Sequence, residues 1–99
     1  MSARSLATPS GALAVGTTTL FNGKMSLNSV IVATDGTNAA TVTVYDNTAA
    51  SGKILTILSV GGTAFSGAQI FNAALRAEIG ITVVVAGTGA TAYVAIGSA

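Results

Sequence analysis

The side chains able to do chemistry are few and thinly spread. The chain has no histidine and no cysteine, and its only carboxylate side chains are Asp35, Asp46 and Glu78. Proton transfer near neutral pH is most often carried by histidine, so a Ser-His-Asp arrangement is excluded. A serine–lysine pair would rest on Ser26 with Lys24, or on Ser51 with Lys53. Both pairs stand beside turn residues, where serine and lysine are ordinary solvated groups. Asp35 and Asp46 are explained as turn residues that bond their own backbone. Calcium takes about six to eight oxygens, which the scattered carboxylates do not supply without carbonyls or symmetry copies. The expectation is a chain with no catalytic residue, no cofactor and no metal site.

The glycine and basic motifs are equally poor in chemistry. Gly87-Thr88-Gly89 is followed by a strand pattern, whereas a dinucleotide loop opens a helix. Gly23-Lys24 and Gly52-Lys53 lack the upstream glycine of a Walker A loop. Arg4, Lys24, Lys53 and Arg76 are too dispersed to track phosphates, which argues against nucleic-acid binding. Alternating threonines, as in Thr17-Thr18-Thr19 and Thr41/Thr43, would suit an ice-binding face but are also the ordinary composition of strands.

Composition points towards assembly. Charged residues make up 7% of the 99 positions, against about 25% in ordinary soluble domains. With a net charge of +1, little repulsion keeps copies apart. Hydrophobic content is 51% and mean hydropathy +0.73, yet the apolar runs at Val30–Ala33 and Ile81–Ala86 are strand-sized rather than membrane-spanning. The few aromatic residues, Phe21, Tyr45, Phe65, Phe71 and Tyr93, do not make the girdles of a membrane barrel. Thr8-Pro9-Ser10-Gly11 interrupts what would be the apolar stretch of a signal peptide. No glycosylation sequon is present, and without cysteine there are no disulfides.

The dominant hydrophobic period is two. Val42 and Val44 alternate with Thr41, Thr43 and Tyr45; Ile79, Ile81, Val83 and Val85 alternate with Gly80, Thr82 and Val84. Leu27, Ser29, Ile31 and Ala33 share one face of another strand, and Ala92, Val94 and Ile96 one face of a fourth. Lys53–Leu58 is apolar on both faces, which places it centrally or under a neighbouring subunit. Asn22-Gly23 and Asp35-Gly36 are hairpin signals. These patterns predict strands over 13–21, 25–34, 40–46, 53–59, 68–72, 78–86 and 91–97. Ala68–Glu78 also fits a short helix. The expected fold is all-β: a single antiparallel sandwich or jelly-roll-like domain over 12–99, with a core of Ile31, Val42, Val44, Ile57, Ile81, Val83, Val85 and Val94. Residues 1–11 lack periodicity and read as an extended arm, with Arg4, Leu6 and Pro9 as candidate partner-binding residues.

Several stretches resemble small all-β structural proteins of tailed bacteriophages, above all capsid decoration (cement) proteins. They are Leu27-Asn28-Ser29-Val30-Ile31-Val32, Ala40-Thr41-Val42-Thr43-Val44-Tyr45-Asp46-Asn47-Thr48 with Ser51-Gly52-Lys53-Ile54, and Leu75-Arg76-Ala77-Glu78-Ile79-Gly80-Ile81-Thr82-Val83. Gly87-Thr88-Gly89-Ala90 with Tyr93 and Val94 resembles their closing hairpin. The resemblance covers about residues 27–97, and departs from the pattern at the end, where Ile96-Gly97-Ser98-Ala99 replaces a closing aromatic. It implies a virion protein on the capsid surface, a homo-oligomer (expected to be a trimer) whose partner is the major capsid protein. Rival readings are a tail, fibre or adaptor module, or a carbohydrate-binding sandwich using Tyr45 and Tyr93.

Overall fold

The computed structural model describes residues 8–64 and 66–97. Nine strands follow one another: β1 Thr8–Pro9, β2 Leu13–Ala14, β3 Gly16–Asn22, β4 Met25–Ala33, β5 Ala40–Asp46, β6 Lys53–Val60, β7 Ser66–Ala77, β8 Gly80–Ala86 and β9 Thr91–Gly97. A single 3₁₀ turn, Gly62–Ala64, precedes β7, and no α-helix occurs among the described residues. The strands form two antiparallel sheets packed face to face. The first has the order β1-β9-β4-β7, with β2 also on β9, and the second the order β3-β8-β5-β6.

Only β5–β6 is a hairpin between sequence neighbours within one sheet; the turns after β3, β4, β6, β7 and β8 carry the chain from one sheet to the other. The Asn22-Gly23 and Asp35-Gly36 signals therefore mark arches between sheets, as does Gly87-Thr88-Gly89. Turn residues permit a reversal but do not choose the partner of the strand that follows. The strand expected over 13–21 is likewise divided. Leu13 pairs with Ala92 in the first sheet and Gly16 with Val85 in the second, and the change of sheet happens at Val15. Gly16, with φ of 137°, supplies the backbone angle at that corner.

The core lies between the sheets. Leu27, Val30 and Val32 of β4 and Ala92, Val94 and Ile96 of β9 face Val42 and Val44 of β5 and Ile81, Val83 and Val85 of β8. Leu20, Met25, Leu55, Leu58 and Leu75 close its flanks. Two expected core residues lie outside it, Ile31 at 40% exposure and Ile57 at 50%. Each error has the same cause. In β4, Leu27 pairs with Ile96 and Ser29 with Ala95, so Asn28 is an extra residue. An extra residue reverses the alternation beyond it, which turns Val30 and Val32 inward and Ile31 outward. In β6, Leu55 is the extra residue between Ile54, opposite Tyr45, and Thr56, opposite Val44. Ile57 consequently sits beside Thr43 on the outer face.

Of the two places open to β6, it does not take the central one: it is an edge strand. The strand expected over 68–72 runs over Ser66–Ala77, and the short helix that Ala68–Glu78 also fits does not form. At the flank where the sheets meet, β7 approaches β6 at Gly67; an ideal Cβ there would lie 2.7 Å from Val60 Cγ2.

The face assignment predicts a clear split in an alanine series. Ile81→Ala removes a fully buried side chain and should cost about 3 kcal/mol. Ile31→Ala and Ile57→Ala should each cost less than about 1 kcal/mol. Urea denaturation of the three variants measures both values, and equal losses would place the core elsewhere.

Candidate interaction surfaces

The most heavily bonded side chain is Asp46, at the end of β5. Its Oδ1 accepts the backbone N–H groups of Glu78 at 2.9 Å and Ile79 at 2.8 Å, with Gly80 N further off at 3.4 Å. Oδ2 lies 3.1 Å from Glu78 N. These donors belong to the arch between β7 and β8, so one carboxylate of the second sheet gathers the chain as it arrives from the first. Gly23 N donates to Ile79 O at 2.8 Å and brings the β3–β4 arch to the same point. Gly80 is required here: an ideal Cβ would lie 2.7 Å from Phe21 O. Alongside, Thr82 Oγ1 donates to Asn47 O at 2.8 Å and lies 3.1 Å from Thr19 Oγ1, so an outward-facing threonine is buried beneath the β5–β6 turn.

Burial alone would push the Asp46 carboxyl up. The N–H groups of Ile79, Glu78 and Gly80, with the Lys53 charge, outweigh that effect and hold it below the usual carboxylate range. Asp35 occupies the opposite end. Its Oδ1 accepts Thr37 N and Asn38 N, both at 2.8 Å, and its Oδ2 accepts Asn38 Nδ2 at 2.9 Å. The Asn38 backbone N–H, then that of Thr37, then the Asn38 side-chain amide lower its pKa. Both aspartates thus organise backbone, as the sequence suggests, but Asp46 bonds an arch distant in the chain and not its own turn.

The other residues singled out for chemistry are equally occupied. Ser26 Oγ donates to Asn28 Oδ1 at 3.1 Å, while Lys24 reaches Glu78 at 3.9 Å. Ser51 accepts from Asn47 Nδ2 through its carbonyl at 2.9 Å and its hydroxyl at 3.3 Å. Glu78 also pairs with Arg76 at 3.1 Å. No pocket is present among the described residues, and none of their acidic side chains cluster as a metal site would need.

Of the arm residues, Arg4 and Leu6 lie outside the described residues. Pro9 belongs to a strand: Thr8 pairs with Ile96 and Pro9 with Ala95 at the edge of the first sheet. Ser10 N donates to Val94 O at 2.8 Å, and Val94 N donates to Ser10 Oγ at 3.0 Å. An edge tolerates a proline because its missing N–H faces away from the ladder. The arm expected over 1–11 therefore joins the sheet at Thr8.

What distinguishes the surface is where charge is missing. Lys24, Asp46, Lys53, Arg76 and Glu78 all gather at the end stitched by Asp46, and Asp35 sits at the other. Between these ends neither outer face carries a charged residue on β3, β4, β8 or β9. On the first sheet Ile31 and Tyr93 pair across strands, 40% and 45% exposed, flanked by Ser29, Ala33 and Ala95. On the second, Ile57 and Ile54 (44% exposed) stand beside Thr43 and Tyr45. The sequence pattern concealed both patches, because the bulges at Asn28 and Leu55 place these isoleucines outside. Comparison with protein-family models, curated proteins and solved structures found no match to this chain.

The Asp46 geometry sets an acid limit. A depressed carboxyl stabilises the fold above its unfolded value, about 3.9, and that contribution disappears as pH falls through the folded value. Asp46→Asn should cost about 2 kcal/mol at pH 7 by leaving arch N–H groups poorly matched. Its deficit should narrow below about pH 4, where the parent loses the same contribution. Melting curves from pH 7 to about pH 2 check this; a deficit that stays constant would show that the charge is immaterial.

Proposed function

We propose that the protein is a bacteriophage virion component, a decoration protein that binds the outside of an assembled capsid and reinforces it. The observation that carries the reading is the outer face of β4 and β9, which bears no charged residue and is centred on the exposed Ile31–Tyr93 pair. Exposed apolar groups rimmed by small polar ones suit docking onto another protein. The resemblance of the strand and turn patterns to those of decoration proteins supports the same reading. The major capsid protein is the partner, the protein acts as a homo-oligomer, and Arg4 and Leu6 extend the contact beyond Thr8.

Reinforcement follows from mass action. A ligand that binds only the expanded shell stabilises that state by its binding free energy, and needs no catalysis. A rigid module spanning neighbouring shell subunits suits the task. The carbohydrate-binding alternative is weakened by geometry, since Tyr45 belongs to the outer face of the second sheet and Tyr93 to that of the first. The two rings cannot flank one sugar.

Co-sedimentation with shells of the major capsid protein encoded beside this chain tests the proposal. Binding should appear with expanded shells and be absent from unexpanded ones. Tyr93→Ala should weaken it by about tenfold, the effect of losing a central aromatic contact. Absence of binding to either shell would sink the reading.

A further inference from the structure

Of the five asparagines in the chain, Asn22 alone precedes a glycine. Asparagine is thermolabile because the backbone nitrogen of the next residue can attack its side-chain carbonyl carbon. A glycine, having no side chain, leaves that nitrogen least hindered. Asn22 ends β3, is exposed, and its carboxamide makes no hydrogen bond to a described residue. The other described asparagine side chains are held. Asn28 Oδ1 accepts from Ser26 Oγ at 3.1 Å, and Asn38 Nδ2 donates to Asp35 Oδ2 at 2.9 Å. Asn47 Nδ2 donates to Ser51 O at 2.9 Å, and its Oδ1 accepts from Thr48 N at 2.8 Å. Asp35-Gly36 is locked in the same way: both carboxylate oxygens accept hydrogen bonds, and Gly36 N donates to Thr34 Oγ1 at 3.1 Å.

We propose that Asn22 is a site of self-deamidation whose rate is set by opening of the β3–β4 arch. Gly23 N bonds to Asn22 Cγ, the Cγ–Nδ2 bond breaks, and Nδ2 leaves as ammonia with the proton from Gly23 N. The cyclic imide that remains takes up water at either carbonyl, giving aspartate or isoaspartate at position 22. Water in and ammonia out complete the balance, with no oxidant or cofactor. In the closed fold the reacting atoms are kept apart. Asn22 is extended in the ladder opposite Gly80, and Gly23 N donates to Ile79 O at 2.8 Å. Asp46 Oδ1 in turn fixes Ile79 through its N–H. Held backbone groups become reactive through local opening, so the strength of this arch sets the pace. Isoaspartate lengthens the backbone by one carbon at the arch and draws Gly23 away from Ile79. Either product adds a carboxylate two positions before Lys24, in a chain with few charges. The site stands whether or not the protein belongs to a virion.

Peptide mapping by mass spectrometry tests this on the full chain, aged in mildly alkaline buffer that favours loss of the Gly23 N–H proton. The folded protein should convert first at Asn22, yielding both aspartate and isoaspartate, while Asn28, Asn38 and Asn47 stay intact. Unfolding the same chain in urea should speed conversion at Asn22 by at least about tenfold, since the opening step is then removed. Asp46→Ala, which frees Ile79, should convert at a rate between those of the folded and unfolded parent. If Asp46→Ala fails to fold, the comparison of folded and urea-unfolded parent decides. Asn22→Gln, which would need a larger ring, should release no ammonia from this position. Earlier conversion at another asparagine, a folded chain in which Asn22 does not convert, or equal rates in the folded and unfolded chains would each overturn the proposal.

Discussion

Asp46 holds the two sheets together where the chain passes between them. An arch between packed sheets leaves successive backbone N–H groups without ladder partners, and a buried unpaired donor is costly. One carboxylate at the end of β5 answers Glu78 and Ile79 together and approaches Gly80. The β3–β4 arch then docks on the same arch through Ile79 O. Two passages between sheets are thereby stitched at one end. Val42 and Val44, on the same strand as Asp46, are held in register by the ladders with β6 and β8.

Concentrating charge at this end has a consequence for the rest of the surface. Most ionisable groups serve the arches and turns, which leaves the outer faces of β3, β4, β8 and β9 without charge. Ile31 with Tyr93 on one sheet, and Ile54 with Ile57 on the other, are exposed large apolar side chains. Asp35 and Asp46 are committed to backbone N–H groups, and Glu78 to Lys24 and Arg76.

The division between what was legible in the chain and what was not follows from range. Period-two alternation and β-branched composition are local, so the strand at Ala40–Asp46 and the inward faces of Val42, Val44, Ile81, Val83 and Val85 could be read directly. Asparagine–glycine and aspartate–glycine pairs marked reversals correctly for the same reason, since positive φ is a property of the residue. Bulges are different. Nothing about Asn28 or Leu55 announces an extra residue, because a bulge exists only relative to a partner strand. The period-two pattern alone therefore points Ile31 and Ile57 inward, whereas the bulges turn both outward.

The amino-acid sequence by itself determined that this is an all-β chain, without histidine or cysteine and with few charges. Those conclusions depend on composition and on spacings of a few residues. Only the tertiary structure decided that most turns are arches rather than hairpins, that Asp46 serves a segment more than thirty positions away, and that β6 lies at an edge. Each of these is a choice of partner. Partner choice is set by the summed packing of distant strands, which no local pattern contains.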